Sequence, residues 1–138
     1  MAKILLLAAT DPNITYLLQR YAEESGLGVV HASTVEDALT LARQAKPAVI
    51  ILEIGFPGMM DREVLRSLKA EETTRSVPVV VYSWLGEEVK DWAEGVVGYL
   101  KDPVLYTDFL AALENAGVLP RGSSNNHNAV SRPQKDVD

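Results

Sequence analysis

Short apolar runs alternate with stretches in which apolar residues recur every three or four positions, from residue 3 to about residue 118. The runs are Lys3–Ala8 (KILLLA), Gly28–Ala32 (GVVHA), Ala48–Ile54 (AVIILEI), Val77–Ser83 (VPVVVYS) and Val96–Lys101 (VVGYLK). Their length, β-branched content and flanking turn residues predict five strands. Three of them are apolar throughout, as expected of strands covered on both faces.

Helical periodicity fills the intervals. Ile14, Leu17, Leu18 and Tyr21 fall at i, i+3, i+4 and i+7, a stripe that Asp11 can cap with Pro12 in the first turn. Ser33 and Glu36 form a capping-box pattern ahead of Val35, Ala38, Leu39 and Ala42, and Pro47 closes that helix. A third helix is predicted over about 60–70 through Val64, Leu65 and Leu68. A short fourth, about 87–94, turns Val89, Trp92 and Ala93 inward, and a fifth starts near Tyr106 and uses Phe109, Leu110 and Leu113. Strands alternating with helices predict a parallel sheet covered on both faces. Such a sheet carries its working site at the carboxyl ends of its strands.

The 138 residues suffice for one domain, and 47% apolar content supplies a core for it. The last twenty residues, LPRGSSNNHNAVSRPQKDVD, lose the periodicity and turn to Ser, Asn, Pro and Gly. The expected organisation is therefore a folded unit over 1–118 and a flexible tail or linker over 119–138. Ten basic and seventeen acidic residues lie within 1–120, so the net charge of -6 belongs to the folded part. That balance argues against nucleic acid and an anionic membrane as partners. No run approaches the length of a membrane span or a signal-peptide core, so a cytoplasmic protein is expected.

Candidate chemistry is sparse. The absence of cysteine removes thiolate nucleophiles, disulfides and cysteine metal sites. No GxSxG, Walker loop or GxGxxG occurs, and neither His31 nor His127 has a partner at metal-ligand spacing. His31, in an apolar strand, reads as a hydrogen-bonded strand residue. Trp84, directly after the fourth strand, reads as a lid or partner contact at the rim.

Taken in order, KILLLAATDPNITYLLQRYAEESG, STVEDALTLARQAKPAVIILEIGFPGMM, LRSLKAEETTRSVPVVVYS and GYLKDP resemble a response-regulator receiver domain of the CheY-like superfamily, from Lys3 to Gly117. The resemblance implies a flavodoxin-like (βα)5 fold, a three-layer αβα sandwich whose parallel sheet has the order 2-1-3-4-5. It also implies a phosphorylation switch: an acidic pair for Mg²⁺ after strand one, an acceptor Asp ending strand three, a Ser or Thr ending strand four, an aromatic on strand five, and a Lys before a Pro, often in a cis bond.

Carried over position by position, the pattern is largely broken. The acidic pair falls on Ala9 and Thr10, the acceptor on Glu53, and the lysine on Asp102 before Pro103. Ser83 and Tyr99 keep the types of the two switch positions. Lys101 lies one residue early, and on a strand one residue reverses the side chain's face. Alanine supplies no metal ligand, and an anion at 102 repels the phosphate that a lysine would pair with.

The resemblance with these departures predicts a non-enzymatic, stand-alone pseudo-receiver, not phosphorylated at Glu53. It would act in two-component signalling by binding a protein (a kinase, a regulator, an output protein or a second copy) through the face formed by its fourth helix, fifth strand and fifth helix. A phosphomimic role for Glu53 is a variant of this reading. No cofactor is expected, and Mg²⁺ binding should be weak or absent; Asp11, Glu53 and Asp102 are the carboxylates a cation would use. Asp11 reads mainly as a helix cap, and Asp102 as a partner of backbone or of a nearby base. The competing reading is a flavodoxin-like small-ligand or metal-binding protein using Ala9, Thr10, Glu53, Ser83 and Asp102. A flavin phosphate would want more hydroxyls than AATDP supplies.

Overall fold

In a computed structural model of the chain, the residues described are 3–54, 61–83, 96–120 and 122. The elements are β1 (Ile4–Ala8), α1 (Pro12–Glu24), β2 (Gly28–Ala32), α2 (Val35–Ala45), β3 (Val49–Glu53), α3 (Asp61–Ala70), β4 (Val79–Ser83), β5 (Val96–Lys101) and α4 (Tyr106–Asn115). The helix expected over 87–94, Trp84, the start of the third helix at Met60 and the tail beyond 122, with His127, lie outside the described residues. The C-terminal helix here named α4 is the fifth helix of the sequence reading.

All five strands are parallel and ordered β2-β1-β3-β4-β5, the order the resemblance implied. β1, β3 and β4 occupy the middle and are buried almost throughout, which is why their sequences are apolar without alternation. Side chains from alternate positions feed two cores. One, with Leu5, Leu7, Ile51, Val80 and Tyr82 from the sheet, packs against Ile14 and Leu18 of α1 and Phe109 and Leu113 of α4. The other, with Leu6, Ile50, Leu52 and Val81, packs against Val35 and Ala38 of α2 and Val64 and Leu68 of α3. Burying a side chain of this kind is worth about 1.5–3 kcal/mol.

The helix ends follow local chemistry. Asp11 is the N-cap of α1, its side chain accepting from the Asn13 N–H at 2.9 Å, and Pro12 fills the first helical position. The cap of α2 is Thr34, one residue beyond the expected Ser33, with Oγ1 accepting from the Asp37 N–H at 3.1 Å. Gly26, at φ 81°, turns the chain from α1 into β2 in a conformation that L side chains rarely adopt. At the same edge of the sheet, the Lys3 ammonium donates to the Val118 carbonyl at 3.1 Å, closing the start of β1 onto the segment after α4. Val118 is itself buried, and Leu119 packs against the same core.

Candidate functional site

The strands end together on one side of the sheet, and the register decides which side chains meet there. Glu53 on β3 is the partner of Tyr82 on β4, and Tyr82 is the partner of Leu100 on β5. These residues share the α1/α4 face, as does Ala9 just beyond β1. Ser83 is one residue further along β4 and so belongs to the opposite face.

Glu53 is only 6% exposed. Its Oε1 accepts from the Thr10 peptide N–H at 2.7 Å and from the Thr10 hydroxyl at 3.3 Å. The first distance is short for a hydrogen bond from a peptide N–H. Thr10 and Glu53, matched to the metal pair and the acceptor by resemblance, are thus in contact, and the carboxylate is held by the loop after β1. Ala9, 1% exposed, offers only a methyl group, and its carbonyl is bonded to His31 Nε2 at 2.7 Å. That contact makes His31 a backbone-bonded strand residue.

Asp102 follows β5 and is joined to Pro103 by a cis peptide bond. Its Oδ1 accepts from the Tyr82 hydroxyl at 2.8 Å. Among the described residues its side-chain partner is thus a phenol, where backbone or a base was expected. Tyr82 was missed in the sequence because it closes an apolar run and reads as core. The available signal was chemical: a buried tyrosine hydroxyl usually needs a polar partner, and a strand-end carboxylate lay nearby. Burial pushes the Tyr82 phenol far above its usual range, the Asp102 bond and charge push it further, and the charges of Asp11 and Glu53 add to the effect.

Asp11, Glu53 and Asp102 therefore all act on one phenol, yet each carboxylate bonds a different donor: the Asn13 N–H, Thr10 and Tyr82. Among the described residues, no three His, Asp or Glu side chains group in a way that could hold a metal ion. Ser83 is 3% exposed and lies at the end of β4, while Tyr99 is 41% exposed on the edge strand. Lys101 is exposed and lies on the face opposite Leu100, as its position one residue early requires. Beside β5 and α4 runs a cleft of about 340 Å³, lined among others by Gly98, Tyr99, Lys101, Asp102 and Asp108.

An open parallel sheet in this strand order, with two helices on each described face and its polar cluster at the carboxyl ends, is the architecture of a receiver. Solved structures agree on the fold. A response regulator from Chloroflexus aurantiacus superposes with a TM-score of 0.77 at 19% identity, covering 84% of this chain and 98% of that one. The receiver domain of sensor histidine kinase PA1611 from Pseudomonas aeruginosa, which holds a magnesium ion in its active-site cleft, gives 0.76 at 16% identity, covering 85% and 99%. No family model matches the sequence. Among curated proteins, Protein PilH of Pseudomonas aeruginosa is 33% identical over 107 residues, covering 75% of this chain and 88% of PilH. The polar-differentiation response regulator DivK of Brucella ovis is 25% identical over 118 residues, covering 83% and 96%. The chain belongs to the CheY-like response-regulator receiver family, and it is a receiver module of two-component signalling.

Proposed function

We propose that this receiver signals by protein contact without accepting a phosphoryl group, and that it is not an enzyme. The observation that carries the reading is the Glu53 carboxylate, buried and already bonded to the Thr10 N–H and hydroxyl. Phosphoryl transfer depends on positioning and charge neutralisation, and magnesium wants several oxygen ligands. The residues present do not fit that ion: Ala9 has no oxygen in its side chain, Thr10 is engaged with Glu53, and Asp11 caps its own helix. Asp102 puts an anion where a cation would meet the phosphate, and it is engaged with Tyr82. What remains for output is surface, and the cleft beside β5 and α4 with exposed Tyr99 belongs to the face expected to meet a kinase, a regulator, an output protein or a second copy.

The test is intact-mass measurement after incubation with magnesium and a small phosphodonor. The wild type is expected to gain nothing, whereas a variant carrying Ala9→Asp, Thr10→Asp, Glu53→Asp and Asp102→Lys gains one phosphoryl group. An acid-labile phosphate on wild-type Glu53 overturns the reading.

A further inference from the structure

We propose that the hydrogen bond between Tyr82 and Asp102 is a latch that couples the rim of the sheet to the cleft between β5 and α4, with Tyr82 a positioning residue acting through Asp102. The inference rests on the contact-based reading above and says how contact at the cleft is tied to the rim. Tyr82 is 2% exposed, and its Cα partners are Glu53 on one side and Leu100 on the other. Its ring is fixed by packing, so its hydroxyl has little freedom in where it points. Asp102 is exposed and would otherwise turn freely into water; at 2.8 Å from the Tyr82 hydroxyl it is held in one orientation.

Asp102 also lines the cleft, together with Tyr99, Lys101, Pro103 and Asp108. One residue thus ends a part-buried hydrogen bond and borders an exterior surface. The loop has a second tie from the other side: Tyr21 on α1 donates its hydroxyl to the Val104 carbonyl at 2.8 Å. That bond reaches backbone and does not involve the Asp102 side chain, which makes it the natural comparison. Loop orientation at 102 is therefore set from β4, next to Glu53, and loop position at 104 from α1.

Hydrogen exchange followed by mass spectrometry tests this in the full chain, using Tyr82→Phe, Asp102→Ala, the double variant and Tyr21→Phe. Tyr82→Phe keeps the ring, and Asp102→Ala removes the acceptor from an exposed side chain, so the fold is preserved. Each of these two is expected to speed exchange in peptides spanning 98–110 by about tenfold, while 28–45 at the far edge of the sheet is unchanged. The double variant exchanges no faster than either single one, whereas Tyr21→Phe adds to Asp102→Ala independently. Asp102→Ala also lets the Tyr82 phenol ionise at lower pH, read from ultraviolet absorbance.

Unchanged exchange over 98–110, acceleration spread equally to 28–45, additivity of the Tyr82 and Asp102 changes, or an unmoved phenol titration would each refute the latch. Phosphodonor treatment of the wild type separates the two claims. A gain of phosphate overturns the proposed function, whereas no gain together with unaltered exchange removes the latch alone.

Discussion

Glu53 carries its carboxylate one methylene further from the strand than an aspartate would, and that reach ends on the peptide N–H and hydroxyl of Thr10. Glu53→Ala leaves the N–H without its partner at a part-buried position and is expected to cost about 1–3 kcal/mol in urea denaturation. Glu53→Gln keeps a carbonyl oxygen for the same donor and should cost about half as much. Equal stability of wild type and the alanine variant would show the contact to be idle. Position by position, the departures at 9, 10, 53 and 102 were legible in the chain. The pairing of donors with acceptors was not, because hydrogen-bond partners depend on register between strands far apart in sequence. Tyr82 illustrates the point: only the alignment of β4 with β5 brings its hydroxyl to Asp102.

β5 shows what pattern reading can and cannot extract from one element. Its bounds, Val96–Lys101, match the apolar run VVGYLK. Its pairing does not follow from the pattern, because the register with β4 slips between Val79 and Val80: Val96 pairs with Val79, but Gly98 pairs with Val80. The extra residue, Val97, is 38% exposed, and beyond it alternation places Leu100 in the core and Tyr99 toward solvent.

Gly98 sits at this point with a modest gap above it. A Cβ there would meet the Ala112 and Val80 side chains at 3.6 Å, ordinary contact distance, and its φ lies outside the left-handed region. Gly98→Ala is expected to leave stability unchanged or raise it by about 0.4–1 kcal/mol, while Gly98→Leu overpacks against α4 and lowers it by about 1–3 kcal/mol, both read by thermal or urea unfolding. A destabilised alanine variant would mean that the strand and helix lie closer than described. The shift of the α2 cap from Ser33 to Thr34 has a similar local cause: both residues are good caps, and only the backbone conformation chooses between them.

At the scale of the whole molecule, alternation alone gave the class, a parallel sheet covered on both faces, because buried central strands and amphipathic helices leave few other arrangements. The strand order came from the resemblance and agrees with the structure. Among the described residues no helix is long and apolar enough to cross a membrane.

Global stability should also register the buried phenol. Tyr82 is held neutral in the fold above its ordinary value of 10.0, so its contribution is complete below pH 10 and declines as the unfolded chain, but not the native one, ionises. Urea midpoints measured from pH 8 to 11.5 should therefore fall at the alkaline end, and less steeply in Tyr82→Phe; parallel curves would contradict this. The contact between Lys3 and Val118 has a consequence of another kind. Lys3 and Val118 meet at the amino edge of the sheet, so a label attached at Lys3 would sit on the side away from the rim and leave Glu53 and Asp102 unobstructed.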